Sequence, residues 1–104
     1  MKHKVLYAAL AASLLLGAPV ARAAPAIVAS LATPITKPDT IVAAGAAWRC
    51  AETSCELASS GTVELYAACR EIARKFGAVT EIALRGKPMP ADRLAKCNQA
   101  VGRR

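Results

Sequence analysis

The sequence predicts a small α+β domain, mainly antiparallel sheet with about two helices on one face, stapled by disulfides. Three observations predict it. Short runs of strand length, apolar or alternating, occupy the first part of the chain after a leader. Two later segments carry apolar residues at helical spacing. Four cysteines, an even number, follow a leader that addresses the chain to an oxidising compartment.

The leader comes first. Met1-Lys2-His3-Lys4 is basic, Val5 to Leu16 is apolar apart from Ser13, and Gly17 and Pro19 break any helix. Ala21-Arg22-Ala23 places small residues where signal peptidase needs them, so cleavage is expected near Ala23. The apolar run has 12 residues, whereas a membrane-spanning helix needs about 20. The expected location is therefore periplasmic or secreted. Cleavage removes Lys2, Lys4, Arg22 and the sole histidine, His3, and leaves all seven acids in a chain that stays basic. Residues 1–23 are thus a signal peptide. Residues 24–40 form an N-terminal segment with a short strand and a Pro-containing loop, and 41–101 a disulfide-stabilised α+β domain.

Ile27 to Ala32 has the length and apolar character of a strand. Thr33 to Asp39 holds Pro34 and Pro38 and reads as a loop. Thr40 to Cys50 reads as one strand with Gly45 as a bulge, and Ala46, Trp48 and Cys50 share a face. Ser54 to Leu57 returns as a hairpin arm. Ser59 to Thr62 offers capping oxygens to a helix from Val63 to Phe76, with the stripe Leu65, Cys69, Ile72, Ala73, Phe76 inward. Arg70, Glu71, Arg74 and Lys75 fill its outer face, with Glu71 and Lys75 an i,i+4 pair. Gly77 stops it. Ala78 to Leu84 alternates as a strand with Ile82 and Leu84 inward, and Arg85 to Pro88 is a turn. Pro90 suits a first helical position, and a second helix runs from Ala91 to Gln99 with the stripe Leu94, Cys97, Val101.

Local geometry sorts the cysteines into pairs. Cys50 and Cys55 flank a four-residue hairpin loop, so they face each other across the ladder. Cys69 and Cys97 both lie on apolar helix faces and can bridge the core. On the chain-entropy model the two bridges contribute about 2 and about 3.5 kcal/mol. That matters in a domain too small for a self-sufficient core. Structural zinc sites bring ligands in close pairs, and here only one pair is close. The redox form C-x-x-C is absent. A redox-responsive role for an exchangeable Cys50–Cys55 bridge stands as an alternative, on the ground of a short, exposed loop. Trp48 is a core residue beside that bridge.

The chemistry on offer is narrow. Without histidine the processed chain lacks the commonest general base and metal ligand. No catalytic motif or phosphate-cradling glycine loop occurs, and no catalytic residue, metal ligand or cofactor is assigned. Cations are the more informative group. Arg70, Arg74 and Lys75 lie on the first helix, Arg85 and Lys87 at the turn, Arg93 and Lys96 on the second helix, and Arg103-Arg104 at the end. Adjoining faces would form a basic patch for anionic envelope surfaces. Nucleic acid is not an expected partner, since aromatics are too few for a stacking platform. An envelope component or another periplasmic protein is. The expectation is a non-enzymatic structural or interaction module of the cell envelope.

Several of these residues form a spaced series: Trp48-Arg49-Cys50, Cys55, Cys69, Gly77-Ala78-Val79 and Leu94-Ala95-Lys96-Cys97-Asn98. The series resembles a group of small exported alphaproteobacterial proteins with W-x-C-x4-C, a mid-chain cysteine, G-x-V and a terminal L-A-x-C-N. Ile82 stands where that group tends to have an aromatic. The resemblance spans Ile41 to Asn98 and implies export and the cysteine framework. The group's function is uncharacterised, so it carries over no catalytic or binding residue.

Overall fold

A computed structural model describes residues 25–59 and 62–103, and the expected leader lies outside them. The strands are β1 (Ile27–Leu31), β2 (Asp39–Ala43), β3 (Ala46–Ala51), β4 (Ser54–Leu57), β5 (Val79–Leu84) and β6 (Lys87–Pro88). Helix α1 spans Leu65–Phe76 and α2 spans Ala91–Asn98. The strands form one antiparallel sheet in the order β2-β3-β4-β1-β5-β6. The fold is a small α+β domain.

Alternation decides which face is covered. Ile27, Ala29 and Leu31 of β1, Trp48 and Cys50 of β3, Cys55 and Leu57 of β4, and Val79 and Ile82 of β5 are buried. They meet Cys69, Ile72 and Ala73 of α1 and Cys97 of α2 in a single core. Their neighbours Arg49, Glu56 and Glu81 lie on the opposite face, exposed.

The sheet draws no line between residues 24–40 and 41–101. β1 sits between β4 and β5, at the centre, and the expected boundary falls inside β2. The stretch 40–50 is two strands rather than one bulged strand. Ala44 and Gly45 have φ of 52° and 75°, the left-handed pair that makes a two-residue type I′ turn. Arg85 and Gly86, at 49° and 83°, make a second such turn, which leaves Lys87–Pro88 to pair as β6. The β3–β4 ladder runs one pair beyond the cysteines, to Ala51 and Ser54, so the loop is Glu52-Thr53 alone.

Helix ends also differ from the sequence reading. The Glu64 carboxylate caps α1 by accepting from the Tyr66 N–H at 2.8 Å, so the helix starts at Leu65. The α2 stripe continues to Ala100, which is buried, and not to Val101, which is 42% exposed. Beyond Asn98 the backbone bonds tighten to i→i+3, from Ala100 N to Cys97 O and from Val101 N to Asn98 O. That tightening rotates the phase by about one residue. Glu71 turns from the outer face toward the sheet. Its carboxylate is half-buried and accepts from the Ala44 N–H at 2.7 Å, so α1 holds the β2–β3 turn.

Candidate functional site

The cysteines come together in the pairs that local geometry suggests. Cys50 and Cys55 are direct cross-strand partners with Cα atoms 4.0 Å apart. Cys69 and Cys97 join α1 to α2 across 5.9 Å. All four are at most 1% exposed. Between them Ala51, Glu52 and Thr53 are exposed, whereas strand alternation aims Cys50 and Cys55 at the core. Thiol–disulfide exchange needs an incoming thiolate to reach a sulfur. The loop is short and exposed, as the sequence suggests, but the sulfurs beneath it are buried, and burial closes that approach while the hairpin is paired.

Trp48 lies fully buried on the same face as Cys50 and donates its indole N–H to the Ala43 carbonyl at 3.0 Å. Burying its ring of ~200 Å² contributes about 5 kcal/mol of transfer free energy. Asn98 does comparable work at the other end. β6 pairs only with Ala83 and Leu84, so it leaves the first half of β5 open. There the Asn98 amide takes the place of a strand. Its Oδ1 accepts from the Val79 N–H at 2.8 Å and its Nδ2 donates to the Val79 carbonyl at 2.9 Å. Trp48, Gly77, Val79, Asn98 and the cysteines therefore form a structural frame, each residue type answering a packing or hydrogen-bonding demand.

The cations divide into groups. Arg70 and Arg74 of α1 face Lys96 of α2 and Arg103 just after it across a groove of about 190 Å³. Tyr66, Gln99 and Ala100 complete its lining. Arg93 lies over the Tyr66 ring, 4.6 Å from the centroid, and Arg70 approaches the same ring at 5.8 Å. Both are cation–π distances. Lys75 turns to the other flank of α1, where it lines one hollow with the 34–39 loop and, together with Glu71 and Arg74, a second with Ile41 and Val42 of β2. Arg85 and Lys87 belong to the β5–β6 hairpin and do not line the groove. Tyr66 and Gln99 were not singled out in the sequence. Tyr66 carries one local signal, its place four residues before Arg70.

Among the described residues no acid lines this groove, although Glu64, Glu71 and Asp92 lie on or at the helices. Asp39, Glu52 and Glu56 surround an open hollow of about 600 Å³ at the β3–β4 hairpin, with Arg49 among them. Glu64 is occupied by its cap and Glu71 by the Ala44 turn. The molecule thus has a cationic groove between its helices and an acidic hairpin end. Among the described residues no cluster of three His, Cys, Asp or Glu is placed to hold a metal. No helix among them is long and apolar enough to cross a membrane.

A stapled α+β domain with a buried motif frame and a cationic helix seam is the class that these features define. A family of unknown function (DUF8200) matches residues 9–99, and the chain belongs to that family. No curated protein matches the chain, and no solved structure matches it.

Proposed function

We propose that the chain is an exported, non-enzymatic module of the alphaproteobacterial envelope that binds anionic envelope components through its helix layer. The observation that carries this reading is the segregation of charge. Arg70, Arg74, Lys96 and Arg103 share one groove, and among the described residues no carboxylate lines it. A groove lined by several cations raises the local concentration of anions and steers their approach. The leader at 1–23, with cleavage near Ala23, supports delivery to the periplasm. Two buried disulfides suit that compartment. Removal of His3 with the leader supports the non-enzymatic part of the reading.

Co-sedimentation with vesicles tests it. The oxidised protein should bind phosphatidylglycerol-containing vesicles at low salt and leave them as salt rises. The screening length falls from about 10 Å at 0.1 M to about 3 Å at 1 M. Absence of binding at low salt, or binding indifferent to salt, contradicts the proposal.

A further inference from the structure

The geometry points to the α1–α2 groove as a receptor for a single phosphoryl group, rather than one stretch of a diffusely charged face. This rests on the reading of the helix layer as an anion-binding surface and adds a place and a chemistry to it.

The size is the first argument. At about 190 Å³ the groove falls below the ~300–1,000 Å³ of sites that enclose a whole small molecule. It has room for an end group. The second argument is the donor set. Arg70 and Arg74, four residues apart, put two guanidinium forks on the α1 wall, while Lys96, Gln99 and Arg103 supply donors from the α2 wall. Guanidinium forks match the oxygen geometry of phosphate in bidentate pairs. A phosphoryl group carries up to two negative charges and three acceptor oxygens, enough to bridge both walls at once. A carboxylate has one charge and two oxygens.

Rigidity is the third argument. The Cys69–Cys97 bridge lies directly beside Arg70 on one helix and Lys96 on the other. The spacing of the walls is therefore set covalently before any anion arrives, which lowers the ordering cost of binding. Like charge is the fourth. Arg70 and Arg74 lie at i,i+4, a destabilising arrangement that a bound anion relieves. The Tyr66 ring, approached by the Arg93 and Arg70 guanidiniums, also lines the groove.

The phosphoryl group has two possible sources, a free phosphate compound and a lipid headgroup, and NMR distinguishes them. Oxidised ¹⁵N-labelled protein is titrated with inorganic phosphate, with pyrophosphate, and with phosphatidic acid vesicles at matched ionic strength. The expected result is saturable shifts of the Arg70 and Arg74 side-chain N–H groups and the Gln99 amide. R70K/R74K keeps the charge and loses both forks, and its affinity should fall about tenfold. K37A/K87A removes two charges outside the groove, and its affinity should stay within about twofold of the parent. Saturation by the free anions assigns a soluble phosphate compound. Saturation of the same residues by vesicles alone assigns a headgroup. Shifts that stay linear, R70K/R74K binding like the parent, or equal loss in K37A/K87A overturns the groove. In that event salt-sensitive vesicle association persists if the broader reading holds, and is absent if it does not.

Discussion

Replacing Asn98 by alanine should destabilise the fold by about 1–1.5 kcal/mol. The Asn98 amide makes two hydrogen bonds to the backbone of Val79, at 2.8 and 2.9 Å. Each net bond contributes about 1 kcal/mol, and a half-buried site lets water recover part of the loss. Alanine's better helix propensity returns a few tenths. In urea, with a slope of about 1 kcal/mol/M for so small a domain, the midpoint should fall by about 1–1.5 M. The single tryptophan, Trp48, reports the transition by fluorescence. Asn98→Asp separates the two bonds. Its carboxylate still accepts from the Val79 N–H but sets an oxygen against the Val79 carbonyl, whereas the acid form can donate there. The folded-state pKa of the introduced carboxyl is therefore raised above its unfolded value. Its stabilising contribution is fully present below the unfolded pKa, about 4, and is lost as pH rises through the folded pKa. N98D should approach the parent in acid and fall away at neutral pH. A loss for N98A under about 0.5 kcal/mol, or an N98D deficit independent of pH, would refute the role given to Asn98.

Ala44→Asn should stabilise by about 0.5–1 kcal/mol, because Ala44 sits at φ 52° where asparagine is tolerated better; a lower melting temperature would count against the type I′ turn. Trp48→Phe removes the donor to the Ala43 carbonyl and leaves unfilled volume, at a cost of about 2–3 kcal/mol. A near-neutral result in a urea titration would contradict that packing. Removing the Cys69–Cys97 bridge with paired serines should cost about 3.5 kcal/mol, against about 2 kcal/mol for Cys50–Cys55. Calorimetry that reverses this order, or a Cys69→Ser variant that melts like the parent, would undo the argument that the long loop carries the larger entropic term.

Where the sequence and the structure agree, the signal is local. The stripe through Cys69, Ile72 and Ala73 and the placement of Trp48 with Cys50 follow from periods of 3.6 and 2 alone. The differences have physical causes. The Ala44-Gly45 turn lacks the Asn or Asp that usually marks a type I′ pair, so its strand reads as continuous. The central place of β1 depends on pairing with β4 and β5, which are distant in sequence, and no local pattern records it. Glu71 looks like half of a surface ion pair, but a backbone N–H from another element claims it. The cationic groove was half legible. Arg70, Arg74 and Lys96 could be named, while their separation from Lys75, Arg85 and Lys87 required the crossing of α1 and α2.

The most direct measurement is the thiol state of the protein recovered from the periplasm, by alkylation before and after reduction with mapping of the linked peptides. The account predicts a processed chain with both bridges closed, Cys50–Cys55 and Cys69–Cys97, resistant to mild reductant while folded. Free or mixed-disulfide Cys50 and Cys55, crossed pairs, or a chain retained in the cytoplasm with reduced cysteines would contradict it.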